Sequence, residues 1–184
     1  MSNAKRVRWL EKGYRMLRDE VLPGAPARAC VSVSVTTHRS AIGQCFSQYV
    51  ARDGKHFIAV HPKLFSDGPD VLRVLLHEMV HASLPPNGKH GPEFRARAQA
   101  VGLKRPWTTT PAGDELAARL QDMAKRLGPV PKAAWVEPQP RKVPTTEVTC
   151  GCPRILHVPP DFLKSGNVKC MVCKKLFRER KVTR

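Results

Sequence analysis

The stretch Val71-Leu-Arg-Val-Leu-Leu-His77-Glu78-Met-Val-His81, followed by His90-Gly-Pro-Glu-Phe94, sets the architecture of this 184-residue chain. Leu72, Val74, Leu75, Leu76, Met79 and Val80 make the first segment apolar on nearly every side, the pattern of a buried helix. His77 and His81 stand four apart, so on that helix their imidazoles share one face, one turn from each other. Burying two imidazoles and a carboxylate is costly unless something satisfies them. A metal ion reached by both histidines does so. The alternative is a pair of core histidines hydrogen-bonded to backbone, with Glu78 in a salt bridge.

His77-Glu78-x-x-His81 is the H-E-x-x-H spacing of zinc peptidases, in which the glutamate is the general base. A catalytic zinc takes three protein ligands and keeps a fourth position open. His90 is the nearest unused histidine downstream, and Glu93 is its rival as third ligand. Pro92 suits the first position of a following helix, which would place His90 just before it and Glu93 in its first, dipole-favoured turn. The mechanism expected is metal-assisted peptide hydrolysis with Glu78 as base. His61 is a candidate for stabilising the oxyanion.

Upstream, Val7, Leu10, Tyr14, Leu17 and Val21 recur at steps of three and four, an amphipathic helix over about residues 3–21. Its polar face carries Lys5, Arg8, Lys12, Arg15 and Arg18, read as a solvated face or as a ridge that tracks phosphates. Val31, Val33 and Val35 alternate with serines, residues 41–50 form a second strand, and 56–60 a third after the Asp53-Gly54 turn. A small antiparallel sheet is thus expected before the metal helix, with an edge on which an extended peptide could lie. Asp70 is the expected N-cap of that helix, and Pro85-Pro86-Asn87-Gly88 ends it. Thr110-Pro111 is expected to start a last helix, with Leu116, Leu120, Met123 and Leu127 on one face.

Residues 128–146 hold Pro129, Pro131, Pro138, Pro140 and Pro144 and read as a semi-rigid linker, with Trp135 expected to dock on the core. Beyond it, Cys150-x-Cys152 and Cys170-x-x-Cys173 are 17 residues apart. Two close pairs can build a tetrahedral thiolate site, which supplies folding energy that so short a module lacks. His157 could replace a cysteine. Cys30 and Cys45 fall in strand patterns and are expected to be buried thiols.

The chain carries 32 basic and 15 acidic residues, a formal net charge of +17. Residues from 128 onward contribute a net +8, with Lys164, Lys169, Lys174, Lys175, Arg178, Arg180, Lys181 and Arg184 around the cysteines. Such charge favours polyanions, and nucleic acid is the expected partner. No run reaches the roughly 18 apolar residues of a membrane span, and no leader pattern opens the sequence. A cytoplasmic, reducing setting is expected, nucleoid-associated if the source is prokaryotic.

His77-Glu-Met-Val-His81-Ala82, then His90-Gly-Pro-Glu-Phe94, then the cysteine pairs resemble the SprT-like metalloproteases, which include the DNA-dependent protease Spartan. The resemblance is to short prokaryotic or phage-type members. It implies an α+β fold: a zincin-like minimal metalloprotease domain (1–127), the linker (128–146) and a basic zinc ribbon (147–184). It also implies one catalytic zinc on His77, His81 and His90, with Glu78 catalytic. A second, structural zinc would be held by Cys150, Cys152, Cys170 and Cys173. The implied partners are DNA, single-stranded or weakly sequence-selective, and a protein substrate bound or crosslinked to it. Two alternatives remain: a nucleic-acid-binding adaptor with an inactive metal domain, and a zinc peptidase acting on a free protein.

Overall fold

A computed structural model describes residues 3–37, 40–86, 89–133, 135, 144–152, 154–164, 166 and 168–180. The turn residues Asn87 and Gly88, the prolines Pro138 and Pro140, and the cations Lys181 and Arg184 lie outside the described residues. The chain falls into two compact units, Met1–Val136 and Glu137–Arg184. It is a mixed α+β protein, and no helix among the described residues is long and apolar enough to cross a membrane.

The first unit holds α1 (Asn3–Glu20), β1 (Ala29–Val33), β2 (Gly43–Phe46), β3 (His56–Val60), α2 (Gly68–Ala82), α3 (Pro92–Ala100) and α4 (Asp114–Leu127). Helix α2 is the hub and packs against α1, α3, α4, β2 and β3. Its apolar residues explain this: Val71, Leu72, Val74, Leu75, Leu76, Met79 and Val80 are all buried. The stripe Leu10, Tyr14 and Leu17 of α1 and Leu116, Leu120 and Met123 of α4 cover its flanks. Gly13 lets α1 approach closely, since a Cβ there would lie 2.8 Å from Leu72 Cδ2.

The sheet corrects the expected antiparallel arrangement. Its order is β1-β3-β2: β3 pairs antiparallel with β2 but parallel with β1, Val31 facing Ile58 and Cys45 facing Ile58 from the other side. The reason is burial. In β3, Ile58, Ala59 and Val60 are buried, so the most apolar strand takes the middle. Residues 34–55, β2 included, then serve as the crossover that a parallel pair requires. The second strand is also shorter than expected, giving way to a 3₁₀ turn at Gln48–Val50.

Two helix starts are corrected as well. Helix α2 begins at Gly68 with Asp67 as N-cap, because Pro69 fits the first turn. Asp70 therefore lies inside the helix, where it pairs with Arg73 at 2.7 Å. Helix α4 begins at Asp114 rather than Thr110, because a bridge between Leu103 and Ala112 keeps the preceding residues extended. After α4, Trp9 Nε1 donates to the Gly128 carbonyl and Arg6 to the Pro131 and Lys132 carbonyls. The Trp135 ring meets His61 edge-on, with centroids 4.7 Å apart.

The second unit holds β4 (Thr146–Thr149), β5 (Ile155–Val158) and β6 (Arg178–Glu179), paired antiparallel in the order β5-β4-β6. Its buried apolar residues are few among those described: Val148, Val158 and Cys170.

Candidate metal centres

Helix α2 presents His77 and His81 one turn apart, as i and i+4 must be. The chain turns back after Ser83, and α3 begins at Pro92, placing His90 opposite them. The three Nε2 atoms converge: His77–His81 3.2 Å, His77–His90 3.2 Å and His81–His90 3.3 Å. Tetrahedral zinc, with Zn–N distances of about 2.0–2.1 Å, holds its nitrogens about 3.3–3.4 Å apart. The donor set therefore has the size a zinc ion requires. Phe94 of α3 stacks on the His81 ring at a centroid distance of 4.3 Å and packs against the other two rings. Glu93 is exposed on the first turn of α3.

Electrostatics agree with this geometry. Burial, aided by His81, His90 and Arg73, pushes His77 down to about 3. Burial pushes His81 down to about 4, with His90 contributing, and lowers His90 as well. The site is thus held in the neutral form that metal ligation demands.

Glu78 is 5 % exposed. Burial pushes it up to about 8, against the pull of a hydrogen bond from the Cys45 backbone N–H. Among the described residues it has no ion pair, so the salt bridge considered from sequence is not formed. Gly43 makes room for it: a Cβ there would fall 2.5 Å from Glu78 Oε1 and 2.7 Å from Val74 Cγ1. A glycine inside a strand pattern is the sequence signal of such an approach.

His77, Glu78, His81 and His90 line a cleft of about 870 Å³. Residues of β2, an edge strand, line it too, as do Thr108 and Thr109. His61 does not line it. Its Nδ1 accepts from the Lys63 N–H, capping a 3₁₀ turn. Sequence reasoning also missed Thr110, which is wholly buried with Oγ1 2.7 Å from His77 Nδ1.

The cysteines of the second unit form the other cluster. Cys150, Cys152, Cys170 and Cys173 bring their sulfurs within 4.8 Å of one another, a set compatible with zinc. Backbone N–H groups point at the second knuckle: the Lys175 N–H, first among several causes, brings the Cys173 thiol down to about 6. His157 stays outside the cluster, exposed on β5 and 3.9 Å from Glu147. Cys30 is exposed and Cys45 half-buried, which corrects the expectation that both are core thiols; β1 and β2 are the sheet's two edges.

No curated protein and no solved structure matches the chain. The profile of the SprT-like family does, over residues 10–113. That span runs from within α1 to the residue before α4 and carries all three histidines and Glu78, so more than half of the chain is matched and it belongs to the SprT-like family.

Proposed function

We propose that the protein is a zinc endopeptidase of zincin-like architecture that works on proteins associated with DNA. The observation that carries the peptidase reading is the convergence of three Nε2 atoms at 3.2–3.3 Å with Glu78 beside them in one cleft. His77, His81 and His90 would hold the ion, and their three donors leave a fourth position free for substrate. Zinc in such a site supplies Lewis acidity, which acidifies water to a pKa near 7 and polarises a carbonyl.

The chain's own residues supply the rest. The free edge of β2 offers backbone groups on which an extended peptide can align beside Glu78. Glu78 removes a proton from the attacking water at its carboxylate and later delivers it to the leaving amine. Burial raises the pKa of this carboxyl, which strengthens it as a base once ionised. The Cys45 N–H and the space at Gly43 fix where that carboxylate sits.

Charge supports the association with DNA. Lys5, Arg8, Lys12 and Arg15 form one exposed ridge of α1, about 15 Å long by helix rise, and none is ion-paired among the described residues. In the second unit, Lys169, Lys174, Lys175 and Arg178 are likewise exposed and unpaired, whereas Lys164 and Arg180 pair with Asp161 and Glu147. Such ridges track phosphates and position a protein without reading bases.

The test is cleavage of a basic, DNA-binding protein with and without single-stranded DNA, by wild type and Glu78→Gln. Wild type should cleave, faster with DNA, and the variant should not. Cleavage by the variant at the wild-type rate would end the peptidase reading. Cleavage indifferent to DNA would point instead to a peptidase acting on free proteins.

A further inference from the structure

Resting on the metal-site reading above, we infer that Thr110 is a positioning residue for the histidine centre: its hydroxyl accepts the His77 Nδ1 proton and so turns the Nε2 lone pair toward the ion. The contact is 2.7 Å and Thr110 is 0 % exposed. No water competes for the imidazole at this end.

The tautomer follows from the other two histidines. A cation shared by three Nε2 atoms at 3.2–3.3 Å needs a lone pair on each. Neutral His77 must then carry its proton on Nδ1, and Thr110 Oγ1 is the partner placed to accept it. Were Thr110 to donate instead, His77 would aim an N–H at the other two nitrogens and the site could not bind.

The backbone at Thr110 is built to hold this contact. Its φ is +39°, a conformation that β-branched residues rarely adopt. Three hydrogen bonds hold it there. The Thr110 N–H donates to the Pro106 carbonyl at 2.8 Å, and Arg73 donates to the carbonyls of Thr109 and, at 3.2 Å, Thr110. Arg73, one turn before His77 on α2, is itself tied to Asp70. The loop that carries Thr110 is therefore clamped to the helix that carries the ligand. Strain of this kind persists where the surroundings over-determine it, and here it aims a hydroxyl.

Zinc affinity at the histidine site of the full chain tests the inference, measured by competition with a chromophoric chelator. The cysteine site serves as the internal reference. Thr110→Val keeps shape and branching but removes the acceptor, and should weaken the histidine site by about 10- to 100-fold, leaving the cysteine site unchanged. Thr110→Ser should bind like wild type. In the zinc-loaded wild type, the His77 Nδ1–H should give a downfield, slowly exchanging NMR signal, shifted upfield in the valine variant.

Equal affinity in wild type and Thr110→Val, or a serine variant as weak as valine, would overturn the inference. So would a His77 Nδ1–H in fast exchange with water in wild type, a result that needs no variant to fold. Absence of zinc from the histidines of wild type would instead sink the metal-site reading, and this inference with it.

Discussion

The two candidate metal centres are built in opposite ways. The histidines are placed by a core: α2 is buried along most of its length, α3 packs on it, and the three imidazoles converge as a result. The cysteines have no such support, since the described part of their unit buries only Val148, Val158 and Cys170. In the first unit packing makes the site. In the second the site must make the packing, because so small a module cannot fold on its apolar area alone. An open, preformed centre suits chemistry, and a closed one that folds its own module suits architecture.

Metal removal should separate the two most sharply. Treating the full chain with a chelator, or substituting Cys170→Ser, should unfold the second unit, where a structural zinc would contribute about 10 kcal/mol or more by analogy with zinc-finger peptides. Amide NMR would show residues 144–180 collapse to random-coil shifts while the first unit keeps its dispersion. A second unit that stays dispersed without metal would break the contrast.

In the first unit the core should matter more than the ligands. Leu75→Ala should cost about 2–5 kcal/mol, whereas His81→Ala should abolish zinc at that site and leave the metal-free stability nearly unchanged. Urea unfolding followed by tryptophan fluorescence reads this unit alone, since Trp9, Trp107 and Trp135 all belong to it. A chain that unfolds on loss of His81 would mean that the ion holds this unit together too.

Glu78 should carry a signed pH dependence in the metal-free chain. Its folded pKa is raised from 4.5 to about 8. Its contribution to stability is therefore full below about pH 4.5 and lost as pH rises through 8. Glu78→Gln removes that loss, so the variant should gain on wild type between pH 5 and 8, by about 4 kcal/mol at the upper end. Parallel stability curves would mean that the carboxylate is solvated in solution.

The smallest effect concerns where the first unit ends. Arg6→Ala deletes the hydrogen bonds to Pro131 and Lys132 and should cost about 1 kcal/mol, read by the same fluorescence. No change would mean that residues after α4 add little to the unit.

What was legible in the sequence is what local pattern encodes. The run from Val71 to Ala82 reads as a buried helix because its apolar residues leave no polar face, and the spacing of His77 and His81 has one helical meaning. Pro92 announces α3 and, with it, the turn that delivers His90. The strand order was not legible, because a period of two marks a strand without naming its neighbours; β1 and β3 pair across 27 residues of sequence, as Val31 to Ile58 shows. Thr110 reads locally as a helix start because Thr-Pro often is one. Its contact with His77 crosses 33 residues and depends on the Leu103–Ala112 bridge, which no local signal predicts.

The order of the two donor sets along the chain has a consequence for biosynthesis. His77, His81 and His90 fall within one short stretch, and Cys150 follows His90 by 60 positions. At translation rates of about 5–20 residues per second, the nascent chain completes its histidine set about 3–12 s before the first cysteine is made. Contacts this close in sequence close quickly. A limited zinc supply would therefore meet the histidines first, and the cysteine module would draw on what remains.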